Sequence, residues 1–372
     1  MILSAVDTTF IFDKLTDFYS NFNRIDDYMR VKKVERLRSI NAFPGMLESE
    51  LFQDFDMSPE DMEIDIQPAS ASHFRDLLDI TSSFNNETAP GRKVELFVKE
   101  KKTNTILGFI KLNSPLINCK PRNDWLGAAP DLTQFNKHAI MGYIIVPVQP
   151  FGFNCLGGKL LSLICCSHEV REIVSKKYDM NLCLFETTSL YGNIKGTSQY
   201  DGLKPYLRHG GDTESDFQMI LPDDFYNWIF DWSVEKNGGE RLIERAGANA
   251  SGYKLKYQAK IFGAVRQSIK EHMPERLEEY NALMKKSKQL NTQKRYYRSD
   301  YGFANAKEVL LGKEEKLLPN PQNYDKFYLE NLVKWWKNKA TKRYTKLQEE
   351  NRLRNTLEVW TDDTINTIDI IR

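Results

Sequence analysis

Two polar loops hold most of the residues whose types and spacing suit chemistry. The first, Pro150 to Leu161 (PFGFNCLGGKLL), joins an apolar run to a helical one. Gly157 and Gly158 at a helix start allow close backbone approach, and the free amides of a first helical turn attract anions. Asn154, Leu156, Gly157, Gly158 and Lys159 are therefore the residues expected to hold a phosphate-bearing ligand. Walker A spacing is absent. The second loop, Glu186 to Leu203, is the densest polar stretch of the chain. It begins where a parallel strand should end, the edge at which α/β sheets place their sites. A carboxylate buried there has a raised pKa and suits a general base, which makes Glu186 the candidate base. Tyr191 and Tyr200 are the candidate acids, and Lys195 and Ser198 the polar groups beside them. Arg92 and Trp125, near other strand ends, are expected to contact substrate. The structural alternatives are that the two glycines serve helix packing, and that Glu186 caps a helix or pairs with Lys195.

A third group lies toward the C-terminus. Lys294, Arg295 and Arg298 flank two tyrosines, and Lys339, Lys342, Arg343 and Lys346 recur at three- and four-residue steps on one helix. Such a face suits phosphates, with aromatics available to stack on bases. Residues 251–350 carry 22 basic and 12 acidic side chains, a net of +10, whereas residues 1–75 carry 8 basic and 14 acidic, a net of −6. DNA is the expected partner, and a plain solvated surface is the alternative.

The elements that must position these residues follow from periodicity. Apolar residues at helical spacing predict helices over 9–40, 45–56, 73–84, 160–177, 225–234, 255–269, 274–288 and 329–354, and Ser58-Pro59 reads as a further helix start. Val94–Glu100 and Thr105–Leu112 read as a hairpin, and Ala139–Val146 and Leu182–Thr187 as buried central strands joined by a helix. A strand–helix–strand unit implies a right-handed crossover and parallel pairing. Residues 289–325 are expected to be irregular. The fold class is thus α/β (α+β), divided as an N-terminal helical segment (1–88), a core of mixed sheet (89–222) and a basic, mainly helical C-terminal region (223–372).

Strand, Gly-containing loop, helix and strand in this order resemble the core of the acetyltransferase-like GNAT fold. There the loop and helix N-terminus hold the pyrophosphate of acyl-CoA, so Asn154, Gly157 and Lys159 stand in the places of that pattern. Residues 91–213 also resemble the domain of DruA, a component of Druantia anti-phage systems, and its phage relatives. The matching pieces are Gly91-Arg92, Leu107-Gly108-Phe109-Ile110 with Ser114-Pro115, Arg122-Asn123-Asp124-Trp125, Glu186-Thr187, Gly196-Thr197 with Tyr200, and Gly211 with Thr213. The loop after Glu186 is similar to that of the phage Mom proteins, GNAT-like enzymes that modify adenine in DNA. The resemblance implies a GNAT-like core, a phage or anti-phage setting and acyl-CoA or another phosphate-bearing donor.

Composition sets the outer bounds. The 372 residues carry a net charge of +1, with 41% apolar and 28% charged side chains, which excludes a disordered or collagen-like chain. No apolar run has membrane-spanning length. The N-terminus lacks the pattern of a secretion signal, and five cysteines without a CxxC pair suit a reducing cytoplasm and no structural zinc. No spacing of His, Cys, Asp and Glu suggests a metal site; His138 and His209 stand alone. The leading expectation is a cytoplasmic GNAT-like transferase that modifies a DNA base. The alternative is a non-catalytic DNA-binding or interaction protein on the same scaffold.

Overall fold

A computed structural model of the chain describes residues 1–40, 44–83, 91–189, 192–213, 219–244, 250–289 and 295–368. In chain order the first elements are α1 (Ala5–Ser20), α2 (Ile25–Leu37), α3 (Pro44–Glu48), β1 (Ile64–Pro68), α4 (Ala71–Thr81), β2 (Lys93–Glu100) and β3 (Thr105–Asn113). Next come α5 (Lys120–Leu126), α6 (Leu132–Phe135), β4 (Ala139–Pro147), α7 (Phe151–Asn154), α8 (Gly157–Cys165), α9 (His168–Tyr178) and β5 (Leu184–Ser189). The remainder are α10 (Gly192–Lys195), β6 (Arg208–Asp212), α11 (Asp223–Lys236), α12 (Ala250–His272), α13 (Leu277–Gln289), β7 (Arg295–Ser299), α14 (Ala306–Leu310) and α15 (Leu329–Glu349).

The described strands form one seven-stranded mixed sheet in the order β1-β2-β3-β4-β5-β7-β6. Neighbouring pairs are antiparallel except β4 and β5, which run parallel around α8 and α9 as the strand–helix–strand pattern requires. One sheet face buries Leu96, Ile110, Ile140 and Phe185 against Leu161 and Ile164 of α8, with Trp336 of α15 behind. Phe97, Phe109 and Ile144 meet Phe74, Leu77 and Leu78 of α4 in a smaller cluster. A separate helical layer joins Ile11, Phe12 and Leu15 of α1 to Ile229, Tyr257, Ile261 and Tyr280 of α11–α13. Those three helices are therefore an insertion in the β6–β7 connection, packed against the start of the chain.

Several expectations change. The periodic stretch 9–40 is two helices, because the Asp27 carboxylate accepts from the Asn23 and Arg24 amides and starts α2 afresh. The stretch 160–177 is also two, since the Ser167 hydroxyl accepts from the Val170 amide and caps α9. Only Pro44–Glu48 of the stretch 45–56 is helical, and Ser58-Pro59 opens a turn rather than a helix. Residues 289–325, read as irregular, contain β7 and α14, and β7 sits inside the sheet. Among the described residues no helix is long and apolar enough to cross a membrane.

Candidate functional site

The sheet register sets the stage. Pairing places Lys93, Asn113, Met141, Glu186, Arg298 and Arg208 in one row across six strands. Residues in register on neighbouring strands share a sheet face, so one end of this face is polar. Glu186, at 1% exposure, lies at the centre of that row. Its Oε1 accepts from Arg122 Nη1 at 3.1 Å and its Oε2 from the Tyr296 hydroxyl at 3.0 Å. Arg122, also buried, donates to the Leu116 and Ile117 carbonyls and lies 4.4 Å from the Phe135 ring centre. Burial pushes the Glu186 carboxyl above its ordinary range, and the Arg122 guanidinium and Tyr296 hydroxyl draw it back. The Tyr296 phenol is raised far above its usual value by burial and by the neighbouring Glu186 charge.

Beyond this row the central strands separate. β4 and β5 pair only over Ala139–Gly142 and Leu184–Thr187. The Thr187 hydroxyl closes the last pair on the Gly142 carbonyl at 2.9 Å. Past it the Gln199 amide reaches across and donates to the Ile145 carbonyl at 2.9 Å. A cleft of about 1820 Å³ opens along the freed β4 edge. Tyr143 to Pro147 line one side, and Leu156, Gly158 and Lys159 lie at the α8 end. Thr197 to Tyr200, Asn113, Arg343, Arg354 and the segment around Trp360 complete the wall. Its volume exceeds the roughly 300–1,000 Å³ of a single small-molecule site.

The α8 end is built from strain and close packing. Leu156 holds the left-handed conformation at φ 54°, which costs a non-glycine residue about 1–3 kcal/mol. A Cβ on Gly157 would stand 2.5 Å from the Phe151 ring, and one on Gly158 2.2 Å from Gln199 Oε1. Lys159 is half-buried and donates to the Gln199 and Asp201 carbonyls, and burial lowers its ammonium pKa. Asn154, 1% exposed, donates to the Arg354 carbonyl at 2.7 Å and accepts from the Arg354 amide at 3.1 Å. It thus ties the loop to the chain leaving α15. Arg343 and Arg354 lie on the Phe153 ring at 4.7 Å and 4.0 Å, which adds two guanidinium groups to this end.

The other candidates fall as follows. Tyr200 is buried against Tyr297, ring centres 5.1 Å apart, and burial pushes its phenol up to about 12. Lys195 is exposed at the cleft, and the Ser198 hydroxyl accepts from the Tyr200 amide. Arg92 donates to the Asn136 carbonyl and its amide to the Ser114 hydroxyl. Trp125 lies under the Arg298 guanidinium at 4.4 Å. Arg295 pairs with Asp201 at 3.1 Å, so both β7 arginines have intramolecular partners. On α15, Lys339, Lys342 and Lys346 are exposed while Arg343 turns inward to the Phe153 carbonyl. Tyr191 and Lys294 lie outside the described residues. The five cysteines are buried, and burial raises the Cys155 thiol to about 12. Among the described residues no group of three His, Cys, Asp or Glu side chains could hold a metal.

Sequence reasoning passed over Asn113 and Arg354, and took Tyr296 only as an aromatic of a basic patch. Asn113 did leave a signal, because Lys111 and Asn113 alternate with apolar residues on β3 as Lys93 and Glu95 do on β2. Arg354 left none, since its place depends on where the chain goes after α15. Neither a curated protein nor a solved structure matches the chain. Residues 54–199, less than half of the chain but the stretch carrying β1 to β5 and the loop to Gln199, match the model of the family described as Druantia protein DruA.

Proposed function

We propose that the protein is a group-transfer enzyme of phage defence, built on a GNAT-like core and acting on a base in DNA. The observation that carries this reading is the cleft opened where β4 and β5 part, bounded by the start of α8 at one end and by Asn113 and Met141 of the polar row at the other. The parallel pair β4–β5 around a glycine-started helix supports the acetyltransferase-like reading, and the match to Druantia protein DruA supports the defence setting. An acyl-CoA or related donor would place its phosphates near Gly157, Gly158, Arg343 and Arg354. Its reactive end would then reach toward Met141 and the buried Glu186 paired with it in the sheet, whose raised pKa suits proton transfer. The acceptor strand would lie on the exposed lysines of α15, with its base turned out of the stack to enter the cleft.

One observation favours a second reading, that of a DNA-binding scaffold without chemistry. Asn154 and Lys159 spend their polar groups on backbone of this chain, and both oxygens of Glu186 are engaged. Mass spectrometry of nucleosides from DNA of cells with and without the protein separates the two. The transferase reading expects a new nucleoside that disappears with Glu186→Gln. Absence of any new mass from well-expressed protein, across host and phage DNA, rejects it in favour of the scaffold.

A further inference from the structure

Asn113 ends β3 with its side chain at 3% exposure on the polar face of the sheet, and it lines the cleft. Its amide nitrogen and its amide oxygen are both shut from water, and neither has a hydrogen-bond partner. A buried amide with both halves unmet is costly, and native structures keep few of them. The charged groups nearby have partners, although Glu95 Oε1 and Arg122 Nε also go without a hydrogen bond. Glu186 is held by Arg122 and Tyr296, and Lys93 pairs with Glu95 at 3.1 Å. Among the described residues, Asn113 is the side chain with both of its polar atoms buried and unmet, and it lines the cleft.

We infer that Asn113 reads the edge of a nucleobase held in this end of the cleft. Asparagine presents one donor and one acceptor side by side, and it pairs bidentately with a base edge that offers the complementary pair. The register supports the fit. Asn113 and Glu186 stand two strands apart, a separation of about 10 Å at the usual strand spacing. Met141 lies between them in the row and also lines the cleft. A flat ring lying on the Met141 thioether, a favourable sulfur–aromatic contact, would bring one edge to Asn113, whose shut-in amide turns toward the cleft to meet it. The inference rests on the reading of the cleft as a site for modifying nucleic acid. The base belongs either to an acceptor strand or to a nucleotide donor bound the other way round, with its base rather than its reactive end beside Glu186.

The test uses the full chain and two probes, a single-stranded oligodeoxynucleotide and acetyl-CoA, with affinities measured for wild type, Asn113→Leu and Asn113→Asp. Asn113→Leu removes both unmet groups and is expected to raise Tm. Asn113→Asp keeps the shape and loses the donor. Both variants are expected to weaken one probe by about tenfold to a hundredfold, the worth of a bidentate base contact. Loss confined to the oligonucleotide assigns the base to the acceptor, and loss confined to acetyl-CoA assigns it to the donor. The inference is overturned when wild type binds neither probe, or when both variants bind both probes within twofold of wild type. In the latter case an ordered water satisfies the amide. Unmodified nucleosides in cellular DNA together with Asn113-dependent binding would remove the transfer chemistry and leave this inference standing.

Discussion

Replacing Arg122 by leucine tests the electrostatics of the polar row most directly. Arg122 and Glu186 are 0% and 1% exposed at the side chain, so neither charge is solvated by water. Removing one partner of such a pair typically costs about 3–5 kcal/mol, because the other charge is left buried. Tyr296 still donates to Glu186 in the variant, which places the expected loss near the lower end, about 3 kcal/mol at neutral pH. The pH dependence carries the stronger information. The folded Glu186 carboxyl already titrates above its ordinary value, so in the window above about 4.5 the folded state holds more protons than the unfolded one. Stability accordingly falls as pH rises through that window. Without Arg122 the folded value climbs further, and the window extends upward. Urea unfolding of wild type and Arg122→Leu at several pH values between 5 and 8.5 should show a gap that widens with pH. It should narrow toward acid, where Glu186 is neutral in both proteins. A gap that stays constant across this range, or one below about 1 kcal/mol at pH 8, would refute the assignment of Glu186 as a buried charge held by Arg122.

Two further changes probe the ends of the cleft. Gly158→Ala puts a methyl group 2.2 Å from Gln199 Oε1 and 3.1 Å from its Cβ, so Gln199 must leave the gap between β4 and β5. Expected are a stability loss of about 1–3 kcal/mol by urea unfolding and weaker acetyl-CoA binding by calorimetry, with DNA affinity unchanged; retained acetyl-CoA affinity would separate this helix start from any donor. Replacing Lys339, Lys342 and Lys346 together by alanine is expected to flatten the dependence of log DNA affinity on log salt by about 0.9 for each phosphate no longer neutralised, as read by fluorescence anisotropy; an unchanged slope would show that strands bind elsewhere.

Local pattern made much of the core readable. The hairpin β2–β3 and the buried strands β4 and β5 announced themselves by apolar runs between turn residues, and Glu186 was recognisable as a carboxylate of the second buried strand, although β5 runs on to Ser189 and places it inside the strand rather than at its end. Local pattern could not show what the carboxylate faces. Arg122 lies 64 residues before it and Tyr296 lies 110 after it, and only the completed sheet brings the three together. β7 illustrates the same limit. Its sequence Arg-Tyr-Tyr-Arg-Ser reads as a basic aromatic patch, yet alternation sends Tyr296 to Glu186 on one face and Tyr297 to Asp201 on the other. A five-residue strand preceded by about eighty residues of mainly helical chain offers no hairpin signal, because the turn that would announce it has been replaced by a helical layer.

The chain beyond α15 changes how the start of α8 should be understood. Glu358 donates its amide to the Gln149 carbonyl and Trp360 to the Ile80 carbonyl, while Arg30 donates to the carbonyls of Ile365 and Ile368. These bonds run the segment along the cleft as a wall, with Trp360 2% exposed. Asn154 fixes the beginning of that wall through its two bonds to the Arg354 backbone. Asn154, expected from its spacing to contact a ligand, thus also joins the loop to the wall. On the proposed function, its replacement would act on donor binding through Arg354, whose backbone it holds. The cleft is consequently bounded by parts drawn from both ends of the chain. A fragment limited to residues 54–199 would carry Glu186, Arg122 and Asn113 but lack Tyr296, Arg343 and Arg354, leaving Glu186 with one partner of its two and the α8 end without its guanidinium groups.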